Sequence, residues 1–503
     1  MEYLLLIIPF FIRFLPREFR KDKTDADTWY HISSVNSIYN NGYRIPDANE
    51  GFILGGRYDY PYFSHWLVAL FVRGNILKYE RYISPIVDII YIVIAFIYFR
   101  FLLDFYQFDE VFQKSINFIL LMAFSVSMIK ISTGPRVYSF TPRIFGELFT
   151  FIYFISFHLY ILEGNVLFLF LAMFFGGLTL NTSKFASQVL VLFSLFLTIF
   201  LFDIIPLLIL LLSFLLALLI SNGHYKNILF QQLKHMKQYA LYGQYNHPAL
   251  VTRNKLTQYK LFFRQLLKKN FKEAYIIFQK DLIFLNIFYK NLDVVFALVL
   301  LLFIDIPDEF LKTILFIGLI IFIITSYKPF QFLGESDRYL DYLLVFSVIL
   351  IVLFIPQVYI NILLIIEVIL YLLTLLLYFK LSSDFGENFL ATTEYIKEHT
   401  TDKEKNVIHG ILGMYINYPL SFLTKLNSLA IEANYVFDLS TNKKLMPKPM
   451  LYTNDFDYLY SRYGVNLILA NKKYLNKEIE YDFSKFDLFY ENKEYIVYKR
   501  RAL

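Results

Sequence analysis

The sequence predicts a mostly α-helical polytopic membrane protein: a transmembrane helical bundle of about eleven spans, followed by a small soluble α/β domain at the C-terminus. Three observations carry this. The 503 residues are 57% hydrophobic and 18% charged, a balance from which no fully polar surface can be built. Runs at 185–202, 206–221 and 361–379 are nearly free of charge and match the ~30 Å of hydrocarbon a helix must cross. From Leu381 onward, charged and apolar residues mix again at soluble-protein spacing.

Taken in order, apolar segments fall at 3–15, 83–103, 115–130, 144–162, 165–181, 186–202, 205–221, 291–304, 311–326, 339–355 and 359–379. Each should be helical, because a backbone facing lipid has to satisfy its own hydrogen bonds. The first lacks a basic start and a small-residue cleavage site, so it reads as a short span rather than a signal peptide. Residues 62–78 are short and carry Arg73 and Lys78, which suits an interfacial helix.

If every segment crosses, one face of the membrane receives the loops at 16–82, 131–143, 181–184, 222–290 and 327–338, together with the C-terminal domain. The other face receives tight turns and a modest loop at 104–114. Chemistry-bearing sequence is therefore concentrated on one face, the face on which the protein is expected to work.

The predicted domains are a transmembrane domain, 1–380, and a soluble domain, 381–503. Within the latter, "LATTEYIKEHTTDKEKNVIHGIL" reads as an amphipathic helix, a charged turn and a buried strand near Val407. "YLYSRYGVNLILANKKYL" reads as a helix, a Gly stop and a strand at Val465–Ala470. "FDLFYENKEYIVYKR" reads as a hairpin turning at Asn492 and Lys493.

Absences exclude several classes. With no cysteine there are no disulfides, thiolate metal sites or Cys nucleophile. No Walker loop, HExxH or GxSxG occurs, so neither ATP-driven transport nor those hydrolytic chemistries belong to this chain. Nucleic acid is not an expected partner; membrane lipids are.

The candidate chemistry begins at "KTDADTWYHI", Lys23–Ile32. In an extended loop, side chains two apart point the same way roughly 7 Å apart. Asp25 and Asp27 could then grip one Mg²⁺ or Mn²⁺, with His31 adding or orienting a ligand. The alternative is a solvated acidic stretch balancing nearby Arg and Lys. Asp27-x-Trp29-Tyr30-His31, followed by Tyr60-Pro61-Tyr62 and an interfacial helix, resembles the first external loop of GT-C glycosyltransferases. The layout is most similar to catalytic subunits of archaeal and bacterial oligosaccharyltransferases. The resemblance implies a polyprenyl-phosphate-linked or pyrophosphate-linked sugar donor, and Asp27 as catalytic, metal-binding aspartate with Asp25 beside it. It also implies that the chemistry-bearing face is extracytoplasmic, at the cell membrane. The excess of Lys and Arg on that face runs against the positive-inside tendency, which weakens for long loops.

A second likeness lies at "KPFQFLGESDRYLDYLL", Lys328–Leu344. In the family an arginine of the equivalent loop contacts the lipid-linked phosphate, which here implies Arg338, with Glu335 and Asp337 as neighbouring site residues. A guanidinium fork suits phosphate oxygens. The structural alternative has Ser336 or Asp337 capping the next helix and Arg338 paired with Asp337 or Asp341.

The loop at 132–149 offers Arg136 and Arg143 as further phosphate ligands. Its Glu147 either completes a metal site with Asp27 or pairs with Arg143. Family members carry a second acidic motif here that this sequence lacks, so the reaction could equally be metal-independent. The 222–290 segment holds twelve Lys and Arg against Glu273 and Asp281. "YKLFFRQLLKKNFKEAYIIF" within it should lie as one basic amphipathic helix on the headgroups.

The Trp-Trp-Asp-Tyr-Gly signature of the oligosaccharyltransferases is missing, so transfer to asparagine is not expected. The competing reading is a non-enzymatic flippase or carrier of anionic lipid-linked glycans. That would need a path through the bundle lined by the intramembrane acids Asp88 and Glu367.

Overall fold

The computed structural model describes residues 2–20, 26–55, 57–129, 139–243, 252–380, 385–400, 405–411, 414–432, 444–447, 452–475 and 481–501. Asp25 and Arg136 lie outside the described residues. The chain divides into two compact units, Met1–Arg20 with Arg81–Leu381, and Lys21–Glu80 with Ser382–Leu503. The last break, after Leu381, lies one residue past the predicted domain boundary. The first loop, assigned above to the membrane domain, shares a unit with the C-terminal domain.

The first unit is helical. All eleven predicted apolar segments fall on helices, but five are long and apolar enough to cross a membrane. These are Ile76–Phe105, Val111–Ile129, Pro142–Glu163, Glu309–Ser326 and Gln357–Lys380. Two bent pairs raise that to at most seven: Ile205–Ile220 with Tyr225–Leu241 at 120°, and Ile283–Lys290 with Leu292–Leu300 at 96°. Helices such as Leu167–Leu180 are apolar but short; fourteen residues reach only about 21 Å at 1.5 Å per residue.

Local chemistry explains the ends. Thr141 accepts from the Arg143 amide ahead of Pro142, and Asp308 caps Glu309–Ser326 through the Leu311 amide at 2.9 Å. Leu344–Phe354 is buried on every side and forms part of the bundle core, whereas Gln357–Lys380 exposes Ile365, Leu372 and Leu376. An outward leucine face is what lipid contact demands.

One expectation about this unit is corrected. The basic amphipathic stretch is two helices, Leu256–Leu267 and Phe271–Asp281. Lys269 takes a positive φ of 55° and Asn270 accepts from the Glu273 amide, ending one helix and starting the next. Asp88 does not reach water. It is fully buried beside the Arg13 guanidinium at 3.8 Å, and Arg13 also donates to the Met122 carbonyl at 3.1 Å.

The second unit holds a six-stranded sheet of β1 (Phe52–Leu54), β2 (Val407–Gly410), β3 (Asn427–Ile431), β4 (Val465–Asn471), β5 (Phe486–Glu491) and β6 (Tyr495–Arg500). The order is β1-β3-β2-β4-β6-β5. The first four strands are parallel, while β6 and β5 run antiparallel. β2 is buried along its length, as a central parallel strand covered on both faces must be. One face packs Leu54, Leu429, Leu459 and Ile468; the other packs Phe389, Leu420, Leu467 and Val497.

The predicted helix, strand and hairpin are found at Phe456–Tyr463, β4 and β5–β6. Gly464 supplies the left-handed cap at φ 73°. Nothing in the residue pattern announces β1. This strand comes from the first loop and adds to the sheet edge through Ser428 N–H to Gly51 O (2.8 Å) and Glu432 N–H to Leu54 O (3.0 Å).

Candidate active site

Asp27 lies in the first turn of the helix Ala26–Asn40. The extended D-x-D geometry expected above therefore does not apply to it; a helix N-terminus instead favours its negative charge. Its side chain is half exposed, and Oδ2 stands 3.9 Å from Nε2 of His31, one turn on. His31 Nδ1 meets His65 Nε2 at 3.0 Å, the two rings stacking at 5.1 Å. His65 belongs to the helix Phe63–Val72, within the 62–78 stretch read above as helical. Its Nδ1 meets the Tyr58 hydroxyl at 2.8 Å.

Behind them sits Glu432, just past β3 and fully buried. It accepts from the Asn49 amide at 2.6 Å, the Asn49 side chain at 3.1 Å and the Tyr30 hydroxyl at 3.1 Å. Burial pushes its carboxyl up to about 8, against the lowering effect of those hydrogen bonds. Burial and the nearby His31 hold the His65 imidazole well below its ordinary range.

The loop bearing Arg338 belongs to the first unit. Lys328–Leu333 forms a 3₁₀ turn, Gly334 adopts φ 121°, and a short helix runs Ser336–Asp341. Neither Ser336 nor Asp337 caps that helix. Arg338 pairs with Glu335 at 2.5 Å, not with Asp337 or Asp341. Glu335 also holds Arg253 at 3.2 Å, and Asp337 holds Lys290 at 3.3 Å. Asp341 accepts from Asn291 at 2.8 Å.

Burial raises the Glu335 carboxyl, yet Arg338 and Arg253 outweigh it and keep it below the usual carboxylate range. Burial and the charge of Arg143 lower the Arg338 guanidinium. Arg143 is thus part of this cation cluster. Such a group of half-buried guanidiniums and a buried lysine is suited to an oxyanion with several oxygens.

Sequence reasoning singled out Asp27, His31, Arg143, Arg338, Glu335 and Asp337. It missed Arg253 and Lys290, which it counted only as headgroup charge, and it missed Tyr58, His65, Asn49 and Glu432. His65 was legible as a histidine next to the Tyr-Pro-Tyr motif; nothing local marks Glu432.

Of the residues expected to hold a metal ion, Asp27 and His31 both belong to the second unit. Glu147 lies buried in the helix Pro142–Glu163 of the other unit. Among the described residues, no three His, Asp or Glu side chains group to hold a metal ion. One carboxylate and one imidazole fall short of the oxygen-rich shell Mg²⁺ requires.

The helical first unit, with its outward leucine faces, is that of an integral membrane protein. Its fold is shared with solved membrane-protein structures. The apo structure of ArnT from Cupriavidus metallidurans aligns with a TM-score of 0.57 over 99% of this chain and 97% of that one, at 10% identity. ArnT bound to undecaprenyl phosphate aligns at 0.55 over 99% and 98%, at 9% identity. The apo oligosaccharyltransferase of Archaeoglobus fulgidus aligns at 0.56 over 93% of this chain and 69% of its own, at 11% identity. No family model matches the sequence, and no curated protein matches it. The chain therefore shares its fold with ArnT and with the archaeal oligosaccharyltransferase.

Proposed function

We propose that this protein is a membrane glycosyltransferase that moves a sugar from a polyprenyl-phosphate-linked donor to a hydroxyl of an extracytoplasmic lipid, glycan or protein acceptor. The observation that carries this is the fold shared along nearly the whole length of ArnT, which has itself been solved with undecaprenyl phosphate. The two loops supply the chemistry the reaction asks for. Asp27 is the general base: the acceptor oxygen attacks the anomeric carbon, its proton passes to the Asp27 carboxylate, and the bond from that carbon to the phosphate oxygen breaks. Negative charge grows on the departing phosphate, and Arg338, with Arg143 and Arg253, stabilises it. Asp25 and Arg136 are proposed to assist at the same two places. The reaction as written needs no metal ion.

The acids a carrier would use are engaged elsewhere. Asp88 faces Arg13 at 3.8 Å, and Glu367 accepts from the Val126 amide at 3.3 Å.

The test is turnover in liposomes with a panel of undecaprenyl-phosphate-linked hexoses and pentoses, following release of undecaprenyl phosphate. Asp27→Asn should cost at least about 100-fold in kcat, and Arg338→Ala should weaken donor use. Wild-type turnover by a folded Asp27→Asn protein removes Asp27 from the role.

A further inference from the structure

Four side chains form a line from the interior of the second unit toward solvent. Tyr58, His65 and His31 are each buried, at 1%, 0% and 3% exposure. Asp27 at the end is half exposed. The contacts are 2.8 Å from Tyr58 to His65, 3.0 Å from His65 to His31, and 3.9 Å from His31 to Asp27.

We propose that His65 and His31 are positioning residues, which with Tyr58 form a hydrogen-bond line of a single polarity that holds the Asp27 carboxylate as a proton acceptor. The proposal rests on Asp27 being the base of the reaction above.

Two neutral imidazoles in contact can be threaded in only two directions. An ionised Asp27 accepts, so His31 must turn its Nε2–H toward it. His31 Nδ1 is then bare and accepts from the Nε2–H of His65, whose own Nδ1 accepts from the Tyr58 hydroxyl. The opposite direction would aim a lone pair at a carboxylate. Burial supports the assignment at both interior groups. It keeps His65 neutral, and it pushes the Tyr58 phenol well above its ordinary range, with Glu432 adding to the effect.

The other titratable groups around the line are Tyr30 on the same helix, Asp59 and Tyr60 beside Tyr58, Glu432 after β3, and Tyr418 on the helix Asn417–Thr424. At 3.9 Å the last gap exceeds a hydrogen bond. A small rotation of Asp27 or one bridging water closes it. One carboxylate oxygen is then held by His31 and the other is left for the acceptor hydroxyl. The line itself gains and loses no proton; the acceptor's proton ends on Asp27.

Two measurements decide. The first needs no substrate: with ring-¹⁵N histidine in the full-length protein, which has eight histidines, the imidazole shifts report the tautomers. His31 and His65 should both carry hydrogen on Nε2 at pH 7.5. An Nδ1–H tautomer at either ring overturns the proposal.

The second is turnover with the sugar-lipid panel. His65→Phe should lose about tenfold or more in kcat with the donor KM unchanged. His65→Gln, whose amide can accept from Tyr58 and donate to His31, should recover most of it. Where His65→Phe fails to fold, Tyr58→Phe decides, since it keeps the ring and removes only the terminal donor. Variants within twofold of wild type, alongside an inactive Asp27→Asn, overturn the line and leave the base standing. An active Asp27→Asn overturns both.

Discussion

Raising the pH from 6.5 to 8 should loosen the unit that contains β1–β6. Glu432 is 1% exposed, and burial lifts its carboxyl from an ordinary 4.5 to about 8. With the folded pKa above the unfolded one, the native state binds the proton more tightly. Its contribution is complete below about 4.5 and is lost as the pH climbs through about 8.

Buried histidines work in the opposite sense at lower pH. His409 is held down to about 3 by burial, and His65 is lowered as well. Below about 6.5 the unfolded chain takes up protons that these residues refuse when folded, so acidification destabilises there. The slopes oppose each other from 4.5 to 6.5, leaving the window from 6.5 to 8 to Glu432. One and a half pH units at 1.36 kcal/mol per unit give about 2 kcal/mol. For a unit of 150–250 residues that is a fall of roughly 4–8 °C in Tm.

Both tryptophans of the chain, Trp29 and Trp66, belong to this unit, so intrinsic fluorescence in detergent follows its melting. Glu432→Gln should flatten the slope between pH 6.5 and 8. A wild-type midpoint that stays constant across the window, or a Gln variant that keeps the wild-type slope, refutes the reasoning.

Three other outcomes are expected. Arg253→Ala should lower kcat more than it raises the KM for the sugar-lipid donor, because the residue is assigned to the charge that grows on the departing phosphate; steady-state kinetics separate the two. Arg13→Met leaves Asp88 buried without its cation and should cost about 3–5 kcal/mol, visible as an earlier thermal aggregation point in detergent. Excess EDTA should leave turnover unchanged, since no step here uses a metal; loss of activity restored by Mg²⁺ or Mn²⁺ contradicts that.

What could be read from residue order alone follows the range of the forces involved. Apolar runs announce helices because each residue pays its own desolvation locally, and the hairpin turn at Asn492 was legible because that side chain accepts from the Glu494 and Tyr495 amides. Span length was harder to read: Leu167–Leu180 looks like a crossing by composition but is short in the fold. Asp27 and Arg338 stood out because each sits in a motif. Glu432, Lys290 and Arg253 did not, because their partners lie 383, 47 and 82 residues away in sequence and only the folded chain brings them together. β1 is three residues long, too short to show a pattern, and only its partner makes it a strand.

That pairing sets an order on biogenesis. Phe52 finds its neighbour at Ser428, so the ribosome must add roughly 370 more residues, about 20–75 s of synthesis, before the edge strand has anything to join. A nascent or truncated chain ending ahead of β3 therefore carries its histidine-bearing loop without the sheet and without Glu432. The first loop and its sheet are thus completed together, late in synthesis, once the strands from Val407 onward have emerged.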